Sequence, residues 1–488
     1  MNVGIIGAGF AGLTTAKHLM EFGHDVTVFE KVGDVGGVWS ASRTYPGVST
    51  QNGKDTYCLS DFPMPQSYPE WPSGPQVQAY LEAYAERFEL MKHVHLNTEV
   101  TSARQEEGGG WTLETSAGTR RFDFLVVANG IFSEPAVPRF EGADAFEAAG
   151  GRICHSSRFT HLGDAAGKRV LVIGYGKSSC DVAAAVAGSA KSLDVIAREL
   201  IWKAPKKFGG VLNYKYLLLT RMGEGLFKYR RTRGVEAFLH GRGAPVRNSM
   251  VGSVQALTTK QLKLAELDLV PRGQFERIAR STVSLVTDGF YDHVRSGKIV
   301  VHRDTQIERF EVEGDERTAV LADGTRLPAD IVICGTGWTQ SVPFFGEEIR
   351  DRLMDERGNF MLYNCVKPIG IENLAFNGYN SSFFSPLSAE MGALWIASYL
   401  AGDMVLPDEA EQRRMTRERI DWMAERTEGK HARGTNIIPF SMHQIDELLS
   451  DLRLEIPKSQ RFMEWQMPVK PERYGKVRQR LKTRLGVA

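Results

Sequence analysis

Two glycine-rich turns constrain this 488-residue chain more than any other feature. Gly7-Ala8-Gly9-Phe10-Ala11-Gly12 follows the aliphatic run at residues 3–6, and Gly174-Tyr175-Gly176-Lys177-Ser178-Ser179 follows another at 168–173. A lone G-x-G-x-x-G is weak evidence, because loops use glycine freely. Two of them, each set between a strand pattern and a helix pattern, point to two dinucleotide-binding units. Around the first, the pattern predicts a strand over 3–6, a helix over 11–22 with Leu13, Ala16 and Met20 on one face, and a strand over 25–29 ending at Glu30. Around the second it predicts a strand over 168–173, a helix over 178–187 and a strand over 193–197 ending at Arg198.

Each turn makes chemical demands. Gly7 permits the tight turn, Gly9 lets the backbone approach a pyrophosphate, and Gly12 lets the helix pack close to the strand, while the helix N-terminus offers N–H groups to phosphate. Glu30, at the strand end, suits two free ribose hydroxyls and repels a 2′-phosphate, so the first unit fits FAD or NAD. The second unit has Ser179 for its third glycine and Arg198 for the acid. A guanidinium there takes a 2′-phosphate, which favours NADPH, with Lys203 as a second cation. Gly176-Lys177-Ser178 is not a P-loop, since the residue five before Gly176 is Leu171. A flavin and a nicotinamide held by adjacent domains make sense as a hydride donor and acceptor.

The predicted fold class is therefore α/β, with two Rossmann-like dinucleotide-binding domains. The FAD domain is discontinuous, 1–165 and 335–488; the NADPH domain is 166–334 and carries a mostly helical insertion at about 204–282. Lys and Arg number 60 against 59 Asp and Glu, which leaves no field for a polyanion and argues against nucleic acid. Cys58, Cys154, Cys180, Cys334 and Cys365 lie far apart, which argues against a dithiol centre, a zinc site or a disulfide framework. With those acceptors set aside, dioxygen is the one left for the electrons. No apolar run reaches about 18 residues, so no integral membrane segment is expected, and the chain enters its first strand at once, which predicts a cytoplasmic protein.

With these residues in view, the chain resembles the flavin-containing monooxygenases, a branch of the class B flavoprotein monooxygenases related to the Baeyer–Villiger monooxygenases. The resemblance is carried by both glycine turns, Glu30, Gly36-Gly37-Val38-Trp39, the block from Cys58 to Pro65, His155-Ser156 with Phe159, Asp181, and Cys334-Gly335-Thr336-Gly337-Trp338. It implies FAD and NADPH as cofactors, a C4a-(hydro)peroxyflavin, and transfer of one oxygen atom of O2 to a small organic substrate by N- or S-oxygenation. Baeyer–Villiger oxidation of ketones is the alternative, and a flavin-binding sensor without turnover is the reading from another class. The resemblance places the active-site asparagine at Asn52, with Gln51 as the alternative. Phe10, Ala11, Lys31, Gly37, Val38, Trp39 and Val100 complete the implied flavin site; Lys177 and Ser178 belong to the nicotinamide site, and Thr336 and Gly337 to the linker back to the FAD domain. A homodimer is compatible with the same resemblance.

Some positions depart from the family pattern. Lys177 stands where an asparagine is usual, Val127-Ala128-Asn129-Gly130 replaces an Ala-Thr-Gly linker, Ala149 opens the F-x-G-x-x-x-H-S fingerprint, and Tyr45-Pro46-Gly47 is closer to the Baeyer–Villiger branch. His155 is read either as a linker hydrogen bond or as a cofactor contact. Phe376, Tyr379, Phe383 and Phe384 are read as core in preference to a substrate tunnel, and the basic stretches 203–247 and 470–484 as solvated faces.

Overall fold

Parallel pairing orders the chain into two five-stranded sheets. The computed structural model describes residues 1–280 and 283–487, so the end of the predicted insertion, 281–282, lies outside the described residues. The first sheet runs Leu374–Phe376, Phe124–Val127, Asn2–Ile6, Asp25–Phe29, Val94–His95. The second runs Val300–Arg303, Ser192–Ala197, Arg169–Ile173, Ile331–Cys334, Arg152–His155. Their central strands are apolar runs closed to solvent, as strands covered on both faces must be: Ile5, Val28, Val126, Val172, Val195 and Ile333 are buried. In both sheets the order reverses at the strand that precedes a glycine turn, and ligands of open α/β sheets bind at that switch point.

Register fixes where the turns emerge. Ile6 pairs with Phe29 and with Val127, so Gly7 leaves the sheet level with Glu30 and Ala128. Ile173 pairs with Ile196 and with Cys334, so Gly174 leaves level with Gly335. The helices Phe10–Glu21 and Lys177–Val186 follow these turns, within a residue of their predicted starts. One strand comes earlier than the boundary at residue 166: Arg152–His155 pairs in parallel with Ile331–Cys334 and so belongs to the second sheet. It is an edge strand, half-buried at Arg152 and Ile153, and its sequence lacks the apolar run that marks the central strands.

The two connections between the sheets run side by side. Glu134–Pro135, leaving the first sheet, pairs antiparallel with Trp338–Thr339, leaving the second.

The insertion is mostly helical, with helices Lys215–Leu218, Arg221–Gly225, Gly234–Leu239 and Ala244–Gln261. C-terminal helices pack in two directions. Ser385–Leu400 lies on Phe10–Glu21, and the later helices also hold the insertion: Arg221 pairs with Asp446 at 2.7 Å and Glu464 at 2.8 Å, and Arg230 with Glu447 at 2.6 Å. These arginines are buried, so part of the basic stretch 203–247 is an internal interface and not a solvated face. Among the described residues, no helix is long and apolar enough to cross a membrane.

Candidate active site

The first glycine turn is a cradle that side chains would fill. Gly7 has φ +106°, and a Cβ there would lie 2.5 Å from the Ala128 carbonyl oxygen. A Cβ on Gly12 would lie 1.8 Å from the carbonyl oxygen of Gly7, which only the absence of a side chain permits. The helix begins at Gly9 with no side-chain cap and no acid in its first turn, where Phe10 and Ala11 sit, so its leading N–H groups are available to an anion. Gly37 folds over the turn: its N-terminal neighbour Gly36 donates to Ala8 O at 3.0 Å, and a Cβ on Gly37 would come 3.1 Å from Gly9 Cα.

Glu30 is buried. Its carboxylate accepts from Ala8 N at 2.9 Å and Val32 N at 3.2 Å, which orients the turn and leaves further lone pairs for a ligand. Around this cradle, Trp39 donates to Tyr57 Oη at 3.3 Å and Phe10 packs edge-on to Tyr57 at 5.5 Å. Lys31 and Val38 are exposed, and Val100 is buried at the start of the strand Val100–Gln105. The donor set and the space fit a dinucleotide with a free ribose.

The second turn reaches the same shape by another route. Gly174 again has φ +106°, and a Cβ there would meet the Gly335 carbonyl oxygen at 2.8 Å. Ser179 Oγ donates towards the carbonyls of Ile173 (3.2 Å) and Gly335 (3.3 Å), and a Cβ on Gly335 would lie 2.0 Å from that Oγ. Gly335 thus makes the room that a third glycine would have made on the helix. Gly176 starts the helix without a side-chain cap, and Ser178 lies in its first turn. Lys177 folds onto Asp181 at 2.5 Å, and buried Asp181 also accepts from Thr287 Oγ1 at 2.5 Å and Tyr45 Oη at 3.4 Å.

Arg198 is exposed just past Ser192–Ala197, with no ion pair among the described residues. Lys203 does not join it as an open cation. It is 2% exposed, donates to Tyr175 O at 2.6 Å and Ser284 Oγ at 3.2 Å, and lies over the Tyr175 ring. Burial lowers its pKa. Its position depends on how the chain folds back beneath the second helix, which residue type and spacing do not reveal.

Asn52 and Gln51 separate cleanly. Asn52 is 2% exposed; its Nδ2 donates to Phe383 O at 2.5 Å and its Oδ1 accepts from Tyr214 Oη at 2.9 Å. Gln51 instead turns its side chain to the Leu285 backbone N–H, at 2.9 Å. Phe376, Tyr379, Phe383 and Phe384 are buried, with Phe376 and Tyr379 packed edge-on at 4.7 Å, so these aromatics are core. His155 is a linker residue: Nε2 meets Gly337 O at 2.9 Å and Nδ1 meets Ser157 Oγ at 2.9 Å, and burial lowers its pKa. Thr336 Oγ1 donates to Ala136 O, and Gly337 O accepts from Ala136 N at 3.0 Å.

Two groups were not legible. Tyr214 comes from the insertion and meets Asn52 Oδ1 at 2.9 Å. Glu390 is fully buried on Ser385–Leu400, accepts from Ser60 N at 2.9 Å and from Ser60 Oγ, and stands 3.8 Å from His18 Nε2. Burial pushes its carboxyl up to about 7 and the His18 imidazole down to about 3. Beside them Lys17 pairs with Asp61 at 2.6 Å, and Arg478 of the last helix joins Asp61. The Ser60-Asp61 pair thus ties the first glycine-turn helix to two C-terminal helices.

Two uncapped helix N-termini, each at the switch point of its own parallel sheet and one beside a buried carboxylate, define a protein that holds two dinucleotides. Residues 1–453 match the family model described as flavin-binding monooxygenase-like, and the chain belongs to that family. It is a flavin-dependent monooxygenase whose cofactors are FAD and NADPH. Flavin-containing monooxygenase 3 of Homo sapiens is 26% identical over 428 residues, covering 83% of this chain and 75% of the relative. Among solved structures, S-allyl-L-cysteine S-oxygenase from Allium sativum aligns with TM-score 0.64 at 21% identity, covering 99% of this chain and 93% of the other. Cyclohexanone monooxygenase from Rhodococcus sp. Phi1 bound to NADP+ aligns with TM-score 0.68 at 19% identity, covering 93% and 97%. At these identities the structural likenesses speak for the fold alone.

Proposed function

We propose that the first glycine turn holds FAD, the second holds NADPH, and the enzyme oxygenates a nucleophilic nitrogen or sulfur in a small organic substrate. The FAD domain is then 1–151 with 335–488, and the NADPH domain 152–334. Bound there, FAD supplies the redox chemistry with NADPH and dioxygen. The chain's own residues bind and orient. Glu30 takes the flavin-side ribose, the N–H groups after Gly9 and Gly176 take the pyrophosphates, and Arg198 takes the 2′-phosphate. Asn52 offers its remaining Nδ2–H and Oδ1 lone pair to the cofactors, without a proton to lose.

One observation carries the choice of chemistry. The groups hydrogen-bonded to Asn52 are neutral dipoles: Tyr214 Oη, Phe383 O and Thr50 Oγ1. Two neighbouring cations are engaged, Lys54 of the same loop by the Gln66 and Tyr68 carbonyls at 2.6 and 2.7 Å, and Lys215, next to Tyr214, by Asp55 at 2.9 Å and Glu70 at 3.0 Å. Attack on a ketone carbonyl needs an anionic oxygen donor and a free cation to hold its charge. Transfer to a lone pair on nitrogen or sulfur needs a neutral donor.

Baeyer–Villiger oxidation is the second reading, favoured by the Tyr45-Pro46-Gly47 loop, whose Gly47 (φ +84°) packs so close to the second helix that a Cβ would lie 3.2 Å from Asp181 O. Among relatives, one is a dimethylaniline N-oxide-forming monooxygenase from Macaca mulatta, and the garlic enzyme is an S-oxygenase. NADPH consumption and product analysis with dimethylaniline, methyl phenyl sulfide and cyclohexanone separate the readings. N-oxide or sulfoxide without lactone is the expected result; lactone alone reverses the choice, and NADPH binding without turnover of any of them favours a sensor. The near-balance of charge supports an enzyme with no nucleic-acid partner, the widely spaced cysteines fit a reducing, cytoplasmic setting, and a homodimer is compatible with both.

A further inference from the structure

Three consecutive residues of the insertion grip the loop that carries Asn52. Asn213 Nδ2 donates to Glu70 Oε1 at 3.0 Å. Lys215 Nζ reaches Asp55 at 2.9 Å and the same Glu70 oxygen at 3.0 Å. Between them Tyr214, with no exposed surface, holds its hydroxyl against two acceptors on one loop corner, Gln51 O and, at 2.9 Å, Asn52 Oδ1, which share its one proton. Glu70 is itself tied to this loop, since its carbonyl accepts from Lys54 N at 2.8 Å.

This arrangement fixes which way the Asn52 amide points. A backbone carbonyl can only accept, so the group 2.5 Å from Phe383 O must be Nδ2, and Oδ1 then faces Tyr214. Rotating the amide by half a turn would set Oδ1 against the Phe383 oxygen. Tyr214 supplies the only side-chain donor given to Oδ1 among the described residues.

We propose that Tyr214 is a positioning residue for the monooxygenase reaction: it locks the Asn52 amide so that one Nδ2–H and one Oδ1 lone pair always face the cofactors. The insertion is thereby part of the active site. This rests on the role given to Asn52 in the proposed function. The tyrosine touches neither cofactor nor substrate in this scheme; it acts through Asn52.

A double-mutant cycle tests it, using FAD-loaded full-length enzyme as wild type, Tyr214→Phe, Asn52→Ala and the double variant. Two quantities are read: the NADP+ dissociation constant, from the change in the flavin visible spectrum on titration, and product formed per NADPH with methyl phenyl sulfide. Tyr214→Phe is expected to weaken NADP+ binding and lower the product yield roughly three- to tenfold, the range of one lost neutral hydrogen bond, with the melting temperature little changed because phenylalanine fills the same space. On the Asn52→Ala background the same change is expected to have no further effect.

A clear Asn52→Ala defect beside a silent or additive Tyr214→Phe overturns the positioning role alone. An Asn52→Ala enzyme with normal coupling and NADP+ affinity overturns the role of Asn52, and the positioning role with it. Should Tyr214→Phe fail to hold FAD, Tyr214→3-fluorotyrosine keeps the hydroxyl donor at the same reach and carries the cycle: it should retain near-normal coupling, and a loss equal to that of Asn52→Ala overturns the proposal.

Discussion

The two glycine turns have the same φ at their first glycine and the same uncapped helix start, yet they solve close packing differently. In the first, the vacancy is on the helix: Gly12 sits where a Cβ would strike its own turn. In the second, the helix carries Ser179 and the vacancy has moved to Gly335 on the neighbouring strand's exit. The strand ends differ as well. Glu30 is buried and already hydrogen-bonded into its turn, whereas Arg198 stands in solvent. The first turn holds its acid already oriented, and the second leaves its strand-end cation open to solvent. What a nucleotide turn requires is a space and a charge, and the residue that provides either can sit on a different strand.

The largest expected effect breaks the first turn. Gly12→Ala forces a backbone shift worth roughly 3 kcal/mol or more, and purified protein should lose FAD and melt early; a yellow, stable variant would show that the turn tolerates a methyl. Next, Gly335→Ala should destabilise by roughly 1–3 kcal/mol, and adding Ser179→Gly should return most of it in thermal melts. If the second change adds to the loss, the two turns are not equivalent in the way described. Arg198→Ala should raise KM for NADPH about tenfold, the value of a charge-assisted contact at an exposed site, and leave KM for NADH unchanged; equal changes for both cofactors would place the 2′-phosphate elsewhere.

The smallest effect separates the undersides of the two helices. Beneath the second, Asp181 is paired with Lys177. Beneath the first, Glu390 is unpaired by any close cation, and burial raises it to about 7, above the ordinary carboxyl value. Its contribution to stability is therefore complete at pH values below the ordinary carboxyl range and is lost as pH rises through about 7. Glu390→Gln should melt like wild type near pH 4 and outlast it at pH 8, by at most about 3 kcal/mol. Parallel melting curves across that range would mean that Lys17 and the Ser60 donors already compensate the charge.

Much of this was readable from residue type and spacing. Gly7, Gly12 and Gly174 announce themselves because no other residue fits a positive φ or so close an approach, and Glu30 ends a recognisable strand, whereas Asn52 rests on the family resemblance, with Gln51 beside it as the alternative. The rest depends on encounters between distant segments. The edge strand Arg152–His155 has no apolar signature, and Lys203 looked like a surface cation until its ammonium was seen against Tyr175 O. Tyr214 is a tyrosine among several in a basic, irregular stretch; only the fold brings it to Asn52.

The paired crossings near Pro135 and Trp338 carry a mechanical corollary. Because outgoing and returning chain are laced together there, with His155 Nε2 and Ala136 N both at Gly337 O, the two halves of the enzyme share one narrow ribbon in place of two independent tethers. Such a ribbon flexes readily across its flat face but resists sliding lengthwise, since sliding would rupture its bonds all at once. Any swing of one sheet against the other about this crossing would be channelled into a single arc, which the Arg221 and Arg230 pairs to the C-terminal helices would limit.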